Sequence, residues 1–429
     1  MNNHNNPITP EERLMAHSDE FRQDLIKIMD NIYFAVGFGA SNSILIEGEN
    51  GSILVDTLES IEGAEVLKEK FKKVSSKPIR MIIYTHSHVD HIGGTSVFMD
   101  ENHPEILCRE PSRGLLGANE LSNIFSKRAN RQFGVALSSK ERVNIGLGPG
   151  DANLAGMGNG YVPAPRQFST EKLSITVEGI QLELIAAPGE TEDQLFVWLP
   201  EQKVLISADN YYKSFPNLYA IRGTSYRDIA VWVESIDKMI ALDPQYLLPG
   251  HSRLIVGGEN IKAVLTDYRD AIEFVLKETL NYINQGLTPD ELVEVVKLPA
   301  RLANKPYLQE FYGTIEWSVR AIYTGYLGWF DGNPKNLFPI SPKNEAKHMA
   351  DLAGGADILF SKAQSAVAQR EFQWALQLAD YLLALGDYVL EAKNIKIQSC
   401  RALAHRQISA SGRNYYFAYA QEMERGLLG

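Results

Sequence analysis

The chain has 429 residues, 45% of them apolar and 22% charged, with a net charge of −11, nine histidines and two cysteines. That balance describes a globular protein of about two or three domains and excludes a collagenous, coiled-coil or disordered chain. The acidic charge argues against nucleic acid or an anionic membrane as partner, and Cys108 and Cys400 are too few and too far apart for thiolate metal sites or a disulfide framework.

The N-terminal leader is polar, with no charged n-region and no apolar h-region, and no apolar run nears the ~18 residues of a membrane span. The expectation is a cytoplasmic protein with a small, soluble partner. Short β-type runs follow at Ile32–Val36, Ser43–Glu47 and Ser52–Asp56, the last two split by the turn Glu49-Asn50-Gly51. A helix is expected over Ile61–Val74, then a buried strand over Ile79–Tyr84. A second strand-rich set covers Leu173–Val177, Gln181–Ala187, Leu195–Leu199 and Val204–Ala208, with a helix near Arg227–Leu242 and a strand at Tyr246–Leu248. Two such halves fit a four-layer α-β-β-α sandwich. Between them lie a basic helical stretch, Asn123–Phe133, and a glycine-rich loop, Gly146–Gly150. From about Asn260 strand signals vanish and amphipathic helices take over, ending in hairpins over Lys343–Gln369, Glu371–Leu385, Val389–Arg406 and Tyr415–Gly426. They have a tetratricopeptide-like look without a clean repeat period. The reading is an α/β domain, residues 1–285, followed by an all-α helical-hairpin domain, residues 286–429.

Chemistry concentrates in Thr85-His86-Ser87-His88-Val89-Asp90-His91-Ile92-Gly93-Gly94. In an extended segment residues two apart share a side, so His86 and His88 can reach one metal together. Asp90 and His91 then face a second as the chain turns, with Gly93 and Gly94 supplying freedom for the turn. Imidazole with carboxylate suits zinc, manganese or iron. The remaining histidines, His4, His17, His103, His348 and His405, have no such company and read as surface or core residues.

This run resembles the hallmark of the metallo-β-lactamase superfamily, which implies a dinuclear hydrolase on the sandwich predicted above. The resemblance extends to Ala187-Pro188-Gly189-Glu190-Thr191, where Glu190 stands in for a third histidine, to Asp209 as the bridging carboxylate in Ser207-Ala208-Asp209, and to His251 in Leu248-Pro249-Gly250-His251. It implies metal ligands His86, His88, Asp90, His91, Glu190, Asp209 and His251, two divalent ions with zinc foremost, and Asp56 as a supporting aspartate. Taken alone, Glu190 reads as a surface carboxylate and His251 stays undecided.

The glutamate and several flanking segments are similar to the alkylsulfatase branch. Asn217 and Arg222 match its sulfate-binding pair, and Arg128 with Gly146-Leu147-Gly148 its substrate-side segment. The helical half, including Gly325–Pro334 and Leu352–Asp357, looks like the branch's dimerisation domain, which implies a homodimer. The implied reaction is hydrolysis of an anionic alkyl sulfate ester, with Asp90, Asp209 and Arg222 in catalysis and Arg128, Gly148, Asn217 and Arg222 on substrate. Phe133, Lys213, Pro216 and Trp317 depart from the branch pattern, and the chain stops where larger members continue into a sterol-carrier-like domain. These departures keep open another ester class, a phosphodiester, lactone or β-lactam. A non-catalytic helical scaffold is the reading from a different class. The aromatics Trp329 and Phe330 are expected to pack a domain interface rather than line a pocket.

Overall fold

The computed structural model describes residues 9–99, 101–110 and 121–426. His4 lies outside them. Two mixed sheets face each other. The first holds seven strands in sequential order, β1 (Asp24–Met29), β2 (Ile32–Val36), β3 (Ser43–Glu47), β4 (Ser52–Val55), β5 (Ile79–Ile83), β6 (Glu105–Arg109) and β7 (Arg166–Phe168). It is antiparallel from β1 to β4 and parallel beyond. The second holds β8 (Lys172–Val177), β9 (Ile180–Ala186), β10 (Leu195–Leu199), β11 (Val204–Ala208), β12 (Tyr246–Pro249) and β13 (Ile255–Val256), in the order β13-β12-β11-β10-β9-β8.

Alternation along the strands builds the layers. Phe34, Ile44, Ile53 and Ile83 of the first sheet pack on Leu184, Leu195, Val197 and Ile206 of the second. On the outer face of the first sheet lie Ala64, Leu67 and Phe71 of α2 (Ile61–Phe71), against Leu45, Leu54 and Ile82. On the outer face of the second lie α5 (Ile229–Ala241) and α6 (Gly258–Asn284), whose Trp232, Ile236, Leu265 and Ile272 join Phe196 and Leu205. Burying a side chain of leucine size is worth about 1.5–3 kcal/mol, so these faces fix both helices. The predicted sandwich is the architecture.

Among the described residues, α1 (Pro10–His17) opens the chain, α3 (Val89–Ile92) is a single turn after β5, and α4 (Ser122–Phe133) follows β6. Beyond α6 come α7 (Pro289–Val295), α8 (Ala300–Ala303), α9 (Ile315–Leu327), α10 (Pro342–Ala353), α11 (Ala356–Ala368), α12 (Phe372–Leu385), α13 (Val389–Ala404) and α14 (Ala410–Glu424). Leu292, Val319 and Ile322 share the core of α5 and α6, so packing is continuous across residue 285. The hairpin helices bury Leu359, Ala363, Leu378 and Leu382 in a core of their own. The expected stretch Lys343–Gln369 is two helices, because Gly354 and Gly355 take φ of +98° and +119°, backbone that ends α10.

The ends of the described chain are clasped. Glu11 of α1 accepts from Arg413 of α14 at 2.9 Å and pairs with His405 at 3.0 Å. His17 is buried, 2.9 Å from the Gly146 carbonyl and stacked on Phe311.

Candidate metal centre and substrate pocket

Every polar group of the centre stands just past a strand end, where the sheets stop and side chains turn inward. After β5 the chain delivers His86 and His88, and one turn of α3 presents Asp90 and His91. β11 ends at Ala208 before Asp209, and β12 ends at Pro249 before Gly250-His251. Ligand-type atoms of His86, His88 and Asp209 lie within 4.8 Å of one another, as do those of Asp90, His91 and His251. Asp209 lies between the two groups. Its Oδ2 is 3.6 Å from His86 Nε2 and 3.2 Å from His251 Nε2, and its Oδ1 is 3.3 Å from His91 Nε2. Glu190, on the loop after β9, is buried with Oε1 3.9 Å from His88 Nδ1.

Backbone and second-layer contacts aim these groups. Asp56 accepts from Thr85 N at 2.9 Å, from Thr85 Oγ1 at 2.7 Å and lies 2.6 Å from His91 Nδ1, which turns His91 Nε2 toward Asp209. Likewise His251 Nδ1 lies 2.8 Å from the Ala40 carbonyl. Asn42 Nδ2 donates to the carbonyls of Pro249 and Ser252 on either side of His251. Asp56, Ala208 and Ser252 hold φ of +59°, +49° and +63°, strained backbone next to the ligand-type side chains.

Gly250 is obligatory for another reason. A Cβ there would meet the Asp209 carboxylate and sit 3.0 Å from His91 Cε1. Gly93 and Gly94 correct the sequence reading, since their φ values are −71° and −100°. They follow the turn and permit close packing on the carbonyls of Glu59 and Thr57 rather than left-handed backbone.

Charges oppose one another here. Burial, reinforced by His91, holds His86 neutral, well below its ordinary range, and burial with His86 and Arg222 does the same for His88. Burial also disfavours charge on His91, yet Asp209, Asp56 and Asp90 outweigh it and push that imidazole up. Burial raises the Glu190 carboxyl, with Arg227 opposing. His86 Nε2, His91 Nε2, Glu190 Oε2 and one oxygen of Asp209 are buried without a hydrogen-bond partner. Four such orphans in one cluster are costly unless a cation satisfies them, so the donor set fits divalent metal.

The residues expected on the substrate side fall into two groups. Asn217 and Arg222 flank the centre. Asn217 is buried, its N–H donates to the Tyr212 hydroxyl at 2.8 Å, and its Nδ2 has no partner. The Arg222 guanidinium lies over the Phe133 ring at 5.8 Å and leaves Nη1 buried without a partner. Burial disfavours its charge, yet Tyr312, Glu190 and Asp90 outweigh that and push its pKa up.

Arg128 and Gly148 stand further back. Arg128 Nη2 donates to the Ile221 carbonyl at 2.6 Å, bracing the residue before Arg222. Gly148 packs on the backbone of Ala40, behind His251. Lys213 faces away, paired with Glu20 at 2.5 Å.

A cleft of about 300 Å³ opens at His88, Glu190 and Arg227. It shares Thr224 and Tyr226 with a second, of about 310 Å³, lined by Tyr219, Ile221, Trp317 and Ala321. Trp317 is thus a wall of that second cleft. Within the described part of this chain Trp329 does not pack a domain interface as expected. It is 73% exposed, edge-on to Phe330, and Phe338 is 93% exposed.

Sequence reading missed Arg227. It precedes Asp228, whose side chain accepts from Ala230 N and Val231 N and caps α5. The guanidinium reaches Glu190 Oε1 at 2.9 Å, with both side chains almost wholly buried. A lone arginine at a helix start carries no motif, and burial alone betrays it.

Comparison with known proteins bears on this geometry. The family model for the metallo-β-lactamase superfamily matches residues 36–251, and that for alkyl sulfatase dimerisation matches 288–426. A linear primary-alkylsulfatase of Pseudomonas sp. (strain ATCC 19151) is 38% identical over 90% of this chain and 74% of its own length. The chain belongs to the alkylsulfatase branch of the metallo-β-lactamase superfamily. Alkyl/aryl-sulfatase BDS1 of Saccharomyces cerevisiae is another relative of the branch, 31% identical over 94% of this chain and 64% of its own. The solved structure of the stereoselective inverting sec-alkylsulfatase Pisa1 from Pseudomonas sp. superposes with a TM-score of 0.84 at 29% identity, covering 94% of this chain and 66% of that one. The branch's metal-binding character agrees with the two His/Asp clusters here. Among the described residues no helix is long and apolar enough to cross a membrane.

Proposed function

We propose that this chain hydrolyses alkyl sulfate esters to an alcohol and inorganic sulfate. Two divalent ions serve the reaction, with zinc favoured by the mixture of imidazole and carboxylate. The first ion is assigned to His86, His88 and Glu190, the second to Asp90, His91 and His251, and Asp209 is shared. The observation that carries the reading is Asp209, set between two His-rich clusters whose inward atoms have no partner, with unpaired N–H groups of Asn217 and Arg222 alongside. When bound, such an ion pair lowers the pKa of water toward about 7 and offsets charge on attacking and leaving oxygens.

The protein's own groups do the rest. Arg222 offers a planar fork to two sulfate oxygens, held in plane by Phe133, and Asn217 Nδ2 donates to a third. Arg128 acts one step back, fixing the loop through Ile221, and Gly148 supports Ala40 behind His251. The alkyl tail runs along the second cleft, against Ile221, Trp317 and Ala321. The working unit is a homodimer through the helical half, a reading supported by the dimerisation-family match and by exposed Trp329, Leu337, Phe338 and Ile340 on one segment.

Sulfate release from linear alkyl sulfates of increasing chain length tests the activity. Turnover should require metal, and elemental analysis should return about two ions per chain, mostly zinc. Release no faster than in a metal-stripped control would sink the reading.

A further inference from the structure

A buried guanidinium beside a cation-binding cluster needs a reason, because its charge repels the ion the cluster holds. Arg227 is 5% exposed and lines the same cleft as Ser87, His88, Glu190 and Thr224. Its Nη1 does two things. It lies 2.9 Å from Glu190 Oε1, and it donates to the backbone carbonyl of Asn217. The other Glu190 oxygen, Oε2, is buried and has no partner. Thus the carboxylate oxygen on the His88 side, 3.9 Å from its Nδ1, is held by arginine, while the other is buried, unpaired and open to a metal. The same nitrogen ties that carboxylate to the residue whose Nδ2 stands unpaired for the substrate anion.

Resting on the metal assignment above, we infer that Arg227 is a positioning residue that holds Glu190 as a one-oxygen ligand and couples the first metal position to the sulfate-holding loop at Asn217. A free carboxylate could rotate and present either or both oxygens. Clamped on one side, it presents one, in a fixed direction. Because the clamp also grips the Asn217 carbonyl, ordering Glu190 by metal orders the loop, and ordering the loop by sulfate favours the metal. Coupling of this kind is reciprocal by thermodynamic necessity. Lysine would keep the charge, but its ammonium sits on a flexible stem, whereas the rigid, planar guanidinium fixes the one nitrogen that both acceptors share.

The test is zinc binding to the full-length protein by chelator competition, with and without inorganic sulfate, for wild type, R227K, R227M, E190Q and E190Q/R227M. Wild type should hold two ions, one more tightly when sulfate is present. R227K should weaken one ion on the order of 10–100-fold, the range typical for loss of a ligand's outer partner, leave the other within about threefold, and abolish the sulfate effect. E190Q/R227M should lose less than the product of the two single losses, E190Q included, as expected for residues acting as a unit. R227K is the milder variant if R227M fails to fold. Unchanged zinc affinities in R227K, equal weakening of both ions, or a surviving sulfate effect would each overturn the inference. Wild type holding no zinc would instead sink the metal assignment, and this inference with it.

Discussion

The metal-facing end of the sandwich and the segment from Tyr326 to Ile340 are both unfinished, in opposite senses. At the first, apolar surface is fully used and polar atoms are left over, with His86 Nε2, His91 Nε2 and Glu190 Oε2 buried and unpaired. At the second, polar groups find each other, as Asn336 Nδ2 and Asn333 N donate to Asp331, and apolar surface is left over, with Trp329, Phe338 and Ile340 exposed. Leftover polar atoms call for an ion, and leftover apolar area calls for protein. The first deficit is built rigidly, on strand ends with strained backbone at Asp56, Ala208 and Ser252. The second sits on a connection between α9 and α10 that holds one short 3₁₀ turn, Pro334–Asn336.

The sharpest way to break this contrast is to remove the ion or one of its imidazoles. Chelation, or His86→Ala, should reduce sulfate release to background while circular dichroism stays native. Activity surviving at more than a tenth would mean the orphaned atoms are not a working site. Next in size is Arg222→Ala, expected to lower kcat/KM for alkyl sulfates by about 10²–10³-fold, as for loss of a donor aimed at developing charge. Arg222→Lys should recover a small part, and zinc content should not change. Steady-state kinetics with elemental analysis decides it.

A third perturbation acts on the frame that carries both regions. Burial pushes the His17 imidazole down to about 4, whereas in an unfolded chain it titrates near ~6.5. Below the latter value the unfolded chain takes up a proton that the folded chain refuses. The contribution is therefore complete above pH ~6.5 and is lost as pH falls through about 4, a total of about 3 kcal/mol. Urea unfolding of wild type and His17→Gln from pH 7 to pH 4 should show the wild type losing stability faster, and parallel curves would refute the assignment.

Smaller still, the Trp329→Ser, Phe338→Ser double variant should weaken self-association by about 10–100-fold, judged by light scattering across concentrations, with zinc content intact. An unchanged association state would remove the helical segment from the interface. The smallest effect belongs to Trp317→Ala, which should shift the preferred alkyl length with less than about tenfold change in rate, since one methylene is worth about 0.8 kcal/mol.

Much of this was legible in the residues. The strands from Ile32 to Ile83 and from Leu195 to Ala208 are runs of aliphatic side chains too short for helices, and the structure keeps their bounds to within about a residue. The histidine run declares its own chemistry, because imidazoles at that spacing have few other uses. What stayed hidden depends on contacts distant in sequence. β1 and α1 read as a polar leader, since Asp24 and Lys27 mask an edge strand that is only half buried. Arg227 has no local signature, as its partner Glu190 lies on another loop. Arg128 reads as a substrate residue from its charge, and only the Ile221 carbonyl shows where that charge is spent. Gly94 invites a conformational explanation, while its real constraint is the backbone of Thr57 and the methyl of Ala64.

The clasp between α1 and the last helices bears on how the protein is made. Glu11 meets Arg413 across 402 positions of sequence, and Arg131 of α4 meets Glu422 across 291. On a ribosome the early segments emerge long before their partners. The sandwich strands can pair as they appear, and α1 can meet Gly146 and Phe311 next, but its clasp with Arg413 waits until α14 has been synthesised. The clasp of α1 on α14 is therefore among the last contacts this enzyme can make.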